Sequence, residues 1–246
     1  MPWFRQWWGV VLITLFLAAA LLAVVMAILI GYYFWEIKQG RGEALKMDFA
    51  KQFTAIQGRS AAAQIATRAD LEIPGRPYLG AASSSLVVVE FIDYKCPNCL
   101  LAEPILNNVI NKYGQKIKLI IRDFPVESTH PGATALAEVA ACAGVEGRYK
   151  VVHDWLYKNQ NNLPAYLGQA ELDTLSSETG LDLQKLKACQ SNTNSEAVRN
   201  VRSDYFDGLK FGVRGTPTFY INGVKVEGVI SAEGWASIIE SQSRAD

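Results

Sequence analysis

Charge of one sign is what this sequence of 246 residues lacks: 24 Lys and Arg balance 24 Asp and Glu, leaving no net charge. A balanced chain sets up no global field to draw in a polyanion, and its basic residues are dispersed rather than run together, so nucleic acid is not an expected partner. Histidine is almost missing, with only His130 and His153, and cysteine is scarce, with Cys96, Cys99, Cys142 and Cys189. A structural zinc site usually needs a second short-spaced ligand pair. Cys142 and Cys189 stand alone, so no metal is expected. Internal repeats and low-complexity tracts are also missing.

Charge is missing a second time from Gln6 to Trp35, a run longer than the roughly 20 apolar residues a bilayer-spanning helix needs. From Trp8 to Tyr32 a helix would cover about 36 Å, and Trp7, Trp8, Tyr32, Tyr33 and Trp35 stand where interfacial aromatics belong. A cleaved signal peptide has a shorter apolar region, so residues 8–35 are expected to be an uncleaved single-pass anchor behind a tail at 1–7. Arg5 on one side and Lys38, Arg41 and Lys46 on the other leave the orientation unsettled by charge. Oxidisable cysteine pairs favour placing the rest of the chain outside the cytoplasm.

Residues 36–75 are expected to form a helical stalk or linker, with Leu45, Phe49, Phe53 and Ile56 on one face. The turn-rich stretch IPGRPYLGAASSS places the domain boundary near residue 75, with a globular domain over 76–246. SLVVVEFIDY reads as a buried central strand and CPNCLLAEPILNNVINKYG as a helix with Leu101, Ile105, Val109 and Tyr113 on one face. KIKLIIRDFP is a second strand, and a helix-length crossover implies that the two are parallel. Residues 132–211 hold no good strand and read as an all-helical insertion. GTPTFYINGVKVEG gives two strands around Asn222-Gly223, a type I′ hairpin signal, and SAEGWASIIESQ a last helix capped by Ser231.

The chemistry sits at CPNC, residues 96–99. A strand ending near Tyr94 and a helix beginning at Cys96 put that sulfur at the helix N-terminus, where unpaired N–H groups and the helix dipole favour an anion. Pro97 suits the first helical position, where a missing N–H costs nothing. A lowered thiol pKa raises the thiolate fraction and makes the sulfur a better leaving group. Cys99, one turn further in, is expected to be more buried and to act as the resolving thiol. A purely structural link between the two would close almost no loop.

EFIDYKCPNC, the helical insertion and GVRGTPTFYING together resemble the DsbA-like thiol-disulfide oxidoreductases of the thioredoxin superfamily, over about residues 75–240. The resemblance implies an α/β thioredoxin fold with an inserted all-helical subdomain, here preceded by one transmembrane helix. It implies that Thr216-Pro217 is a cis pair facing Cys96 and Cys99, and that Glu90 is the buried carboxylate beneath them. On the strand Glu90 shares a face with Val88 and Ile92, so a raised pKa and a proton relay to Cys99 are expected. Asp93 and Lys95 read as peripheral. The resemblance pairs Cys142 with Cys189 in a structural disulfide, worth about 4 kcal/mol in the chain-entropy model, and gives His130 and His153 capping or packing roles. Asn98 departs from the pattern: the strongly oxidising members carry His there, and Asn brings no charge to the thiolate.

The expected protein is therefore a membrane-tethered oxidoreductase of the inner membrane, its catalytic domain periplasmic, forming disulfides in thiol-containing substrates by exchange at Cys96–Cys99. A quinone-coupled membrane thiol oxidase would regenerate it, the lipid bilayer would hold it, and no cofactor is needed. The alternatives are a reductase or isomerase fed by a membrane electron donor, and a thioredoxin-fold chaperone or assembly factor.

Overall fold

The computed structural model of the chain describes residues 7–38 and 67–242, which fall into two units dividing at Ala62 and Ala63. The first holds a single described helix, α1 (Trp7–Lys38), whose stretch Val10–Ile28 is long and apolar enough to cross a membrane and is unburied. The expected stalk face of Leu45, Phe49, Phe53 and Ile56 lies outside the described residues.

The second unit runs α2 (Arg68–Leu71), β1 (Tyr78–Gly80), β2 (Val87–Ile92), α3 (Pro97–Tyr113) and β3 (Lys118–Asp123). The helices α4 (Ala133–Val145), α5 (Tyr149–Asn159), α6 (Gln169–Thr179), α7 (Leu183–Ser191) and α8 (Glu196–Lys210) follow, then β4 (Thr218–Ile221), β5 (Val224–Glu227) and α9 (Ala232–Gln242). The five strands form one sheet in the order β1-β3-β2-β4-β5. β2 and β3 are parallel, in register from Val87 opposite Lys118 to Ile92 opposite Asp123, as a helical crossover requires. β4 runs antiparallel to β2, placing Phe219 opposite Glu90. β5 returns through Asn222 and Gly223, at φ 47° and 87°, the positive pair that a type I′ turn demands. Ser231 caps α9 by accepting from the Gly234 N–H at 3.2 Å.

β2 is central and all six of its residues are buried. One sheet face packs Val88, Leu119 and Phe219 against Ala102, Leu106 and Val109 of α3 and Trp235 and Ile239 of α9. The other joins Val87, Val89, Phe91 and Ile120 to Phe124, Tyr220 and Leu71. A third cluster fills the helical insertion and reaches the sheet's end, joining Ile92, Tyr94, Cys96 and Cys99 to Leu136, Ala140, Val152, Leu156 and Leu186.

Three expectations need correcting. The buried face of α3 is Cys99, Ala102, Leu106 and Val109. Leu101, placed on that face by the sequence reading, is 60% exposed, because the stripe is one residue out of phase with the true one. Residues 67–75 do not belong to the stalk: Leu71 is buried against Val87 and Phe91. The turn-rich stretch also contains a strand, β1, which pairs antiparallel with β3 from Tyr78 opposite Ile120 to Gly80 opposite Lys118. Gly80 has φ 85°, and a Cβ there would lie 2.2 Å from the Ile117 carbonyl oxygen. Glycine is required at that position by its close approach to the neighbouring backbone.

Candidate active site

Cys96 occupies the N-cap of α3, extended at φ −77° and ψ 122°, with Pro97 opening the helix. The preceding turn is held by Asp93, which is 1% exposed. Its carboxylate accepts from the Lys95 N–H at 2.7 Å and the Val126 N–H at 2.8 Å, and lies 2.8 Å from His130 Nδ1. Lys95 donates to the Leu163 carbonyl at 2.6 Å, and the Gln160 side chain donates to the Cys96 carbonyl at 3.0 Å. Asp93 and Lys95 are thus not peripheral, since they tie the cysteine turn to the loop after β3 and to the insertion. His130 belongs to this anchoring.

Cys96 and Cys99 are both free thiols and both buried. The Cys96 S–H donates to the Thr216 carbonyl at 3.1 Å, and Thr216-Pro217 is a cis peptide bond. The two sulfurs differ electrostatically. The Cys96 thiol is lowered to about 5, first by the Cys99 S–H hydrogen bond, then against burial by Thr216 and by the backbone N–H groups of Cys99 and Asn98. In the neutral thiol Cys96 donates to the Thr216 carbonyl; once it is a thiolate, the Thr216 hydroxyl, otherwise unpartnered among the described residues, is available to donate to it. Burial pushes Cys99 well above the ordinary thiol range, helped by the bond to Cys96 and by the charges of Cys96 and Glu90. Asn98 is exposed, so what it contributes to the thiolate is its backbone N–H.

Glu90 is 3% exposed, and burial followed by the charge of Glu103 raises its carboxyl well above the carboxylate range. Glu103 stands one helical turn beyond Cys99 on α3, a spacing that was available in the sequence as a second inward acid. Cys142 on α4 and Cys189 on α7 form a disulfide with S–S 2.02 Å and Cα atoms 5.9 Å apart, within the insertion.

The Cys96 shift carries a pH signature. A depressed pKa means that the thiolate is present at neutral pH and is lost as pH falls through the folded value. The ultraviolet thiolate absorbance of the reduced protein is expected to titrate with a midpoint near pH 5, with alkylation by iodoacetamide falling in parallel. A midpoint in the ordinary thiol range would overturn this description of the site.

A family model described as Thioredoxin matches residues 72–241. Among curated proteins the chain is similar to the Na(+)/H(+) antiporter NhaA 1 of Salinispora arenicola, 32% identical over 178 residues that cover 70% of this chain and 26% of the antiporter. The chain thus spans about a quarter of the length of the curated relatives it matches. Among solved structures, a thioredoxin-like oxidoreductase from Silicibacter pomeroyi is 24% identical, covering 74% of this chain and 100% of that one, with TM-score 0.63. The thiol-disulfide exchange protein alpha-DsbA2 of Wolbachia pipientis is 20% identical, covering 70% and 90%, with TM-score 0.60. Likeness at these identities speaks to the fold.

Proposed function

The chain belongs to the thioredoxin family, and from that premise we propose that it is a membrane-tethered thiol-disulfide oxidoreductase that forms disulfides in extracytoplasmic proteins. The observation that carries the proposal is the asymmetry of the two sulfurs: Cys96 lowered to about 5 and Cys99 pushed far up. Stabilising a thiolate at Cys96 stabilises the reduced form, and a couple whose reduced form is stabilised is a better oxidant. The absent charge at Asn98 does not remove this bias, because the N–H groups of α3 and the Cys99 S–H supply it.

In the reaction, a substrate thiolate attacks Cys96 Sγ of the Cys96–Cys99 disulfide. The S–S bond within the protein breaks as a mixed disulfide forms, and Cys99 leaves with the electron pair. Its raised pKa means that it takes a proton, for which Glu90 is the buried donor. A second substrate thiolate then attacks the substrate sulfur of the mixed disulfide and expels Cys96 as a thiolate. The substrate has lost two electrons and the protein has gained them. The Thr216 carbonyl accepts from the Cys96 S–H in the dithiol, and once Cys96 is in a disulfide that acceptor faces the attacked sulfur and can take a backbone N–H of an extended substrate. Re-oxidation falls to a quinone-coupled thiol oxidase in the inner membrane, which α1 would share with it on the periplasmic side.

Equilibration of the Cys96–Cys99 couple with glutathione tests the direction of electron flow. A potential on the oxidising side of the glutaredoxin range, above roughly −200 mV, is expected. A value near that of thioredoxin, about −270 mV, would sink the oxidase reading in favour of a reductase.

A further inference from the structure

A buried polar chain runs behind the cysteines that the exchange reaction as described does not use. His153 on α5 is 1% exposed, with its Nδ1 2.9 Å from the Tyr94 hydroxyl and its Nε2 3.1 Å from Glu103 Oε2. The Tyr94 hydroxyl lies 3.2 Å from that of Tyr149. Tyr149 and Asp123 line an open cavity of about 860 Å³, bounded by residues 72–79, β3, α4 and α8. At the other end Glu103 reaches Glu90 through its charge, and Glu90 reaches Cys99 in the same way. The line of hydrogen bonds thus starts at a residue of the cavity wall and ends at Glu103, one helical turn beyond Cys99 on α3, from where the charge of Glu103 acts on Glu90.

The donor order along it is fixed by chemistry. An ionised carboxylate only accepts, so in the neutral ring Nε2 carries the proton toward Glu103 and Nδ1 accepts from Tyr94. Burial raises Glu103, but His153, Lys150 and Asn107 outweigh it and hold the carboxyl below the usual range. Glu90 is held above that range, so of the two acids Glu90 binds a proton the more tightly. The charged and titratable groups around His153 are Glu103 from α3, Tyr94 from the cysteine turn, and Lys150, Asp154, Tyr149 and Tyr157 from its own helix. Lys150 is itself bonded to Asp154 and Asn107. Asp123 acts on both tyrosines from β3.

We propose that Tyr149, Tyr94, His153 and Glu103 form a proton wire between this cavity and the acid pair beneath Cys99, with His153 as its central positioning residue. The inference rests on the thiol-exchange reading above. When the Cys96–Cys99 bond breaks, Cys99 takes the proton of the acid pair. The pair is refilled as His153 Nε2–H passes to Glu103, Tyr94 O–H to Nδ1 and Tyr149 O–H to Tyr94, with a proton from water in the cavity replacing the last. Re-oxidation of the dithiol runs the same shift backwards, which restores the starting tautomer without rotating the buried ring. The wire changes no equilibrium; it sets how fast Cys99 gains and loses its proton.

The test compares the full chain with His153→Gln, Tyr94→Phe and their combination. Rates are measured for reduction of the disulfide by dithiothreitol and for oxidation of the dithiol by glutathione disulfide. Both rates should fall by the same factor, about a hundredfold or more by the usual worth of proton-transfer help, and the double variant should fall no further than the slower single. The equilibrium constant with glutathione and the pH midpoint of Cys96 should stay at their original values. Unchanged rates in both single variants would overturn the wire. Slower rates accompanied by a shifted equilibrium or midpoint would also overturn it, because they would mean that the chain only positions Cys96. If Tyr94→Phe does not fold, Tyr149→Phe, at a half-buried position, carries the same expectation. Exchange that survives in Cys96→Ala would instead remove the redox reading, and the wire with it.

Discussion

Cys96→Ala and Cys99→Ala are each expected to bring dithiol oxidation down to the rate of buffer alone, while Cys99→Ala, offered a disulfide-bonded peptide, accumulates a mixed disulfide with it through Cys96. The two outcomes differ because the two sulfurs do. Cys96 holds the helix N-cap and is the sulfur that the thiolate-stabilising groups face, so it is the sulfur from which a thiolate leaves most readily. Cys99 is 2% exposed and its own thiolate is disfavoured, so losing it removes the bond that a dithiol attacks but leaves the Cys96 thiolate able to attack a peptide disulfide, with no intramolecular route out of the mixed disulfide that results. Because the Cys99 S–H is the largest contribution lowering Cys96, the Cys96 midpoint should move up from about 5 in Cys99→Ala. Alkylation with mass detection reads the trapped species, and thiolate absorbance reads the midpoint. Full oxidase activity in Cys96→Ala would leave the fold serving as a binding module.

Asp204→Ala is expected to cause a comparably large loss, in stability rather than chemistry. Asp204 on α8 is 1% exposed and accepts from Arg76 Nε at 2.8 and 3.0 Å and from Arg122 Nε at 2.8 Å. Arg122 is fully buried under Phe91, where it also meets Asp207. Removing the shared carboxylate leaves two buried guanidinium groups without their main partner, which typically costs about 3–5 kcal/mol. For a domain of this size each kcal/mol moves Tm by roughly 2–4 °C, so a fall on the order of 10 °C is expected in a calorimetric scan. Asp204→Leu combined with Arg76→Met and Arg122→Met should recover most of it, since replacing a whole buried ionic cluster costs far less than breaking it. An unchanged Tm in Asp204→Ala would mean that water reaches the pair.

What could be read from the sequence was local. The strand, turn and helix around CPNC, the parallel crossover and the Asn222-Gly223 hairpin each follow from short-range rules. The features that could not be read are tertiary. β1 is three residues long in a stretch of Pro, Gly and Ser, and only its pairing with β3 makes it a strand. Asp93 reads as an ordinary loop acid until Val126 and His130 fold onto it. Thr216 is 120 positions from Cys96, and the sequence tied the two only through resemblance. The chain from Tyr149 to Glu103 joins a helix of the insertion to the cysteine turn and α3, so no single segment contains it.

If the chain oxidises unfolded polypeptides as proposed, the sheet's outer strands bear on how it survives them. A catalyst that handles incompletely folded polypeptides meets chains with unsatisfied backbone groups, which seek any open ladder to extend. Here β1 has three residues and ends on Gly80, and β5 has four and carries the ion pair of Lys225 with Glu227. Short, charged borders are poor templates for β-sheet addition. On that reading they would leave docking to the surface around Cys96 and limit co-aggregation with the unfolded proteins it is proposed to serve.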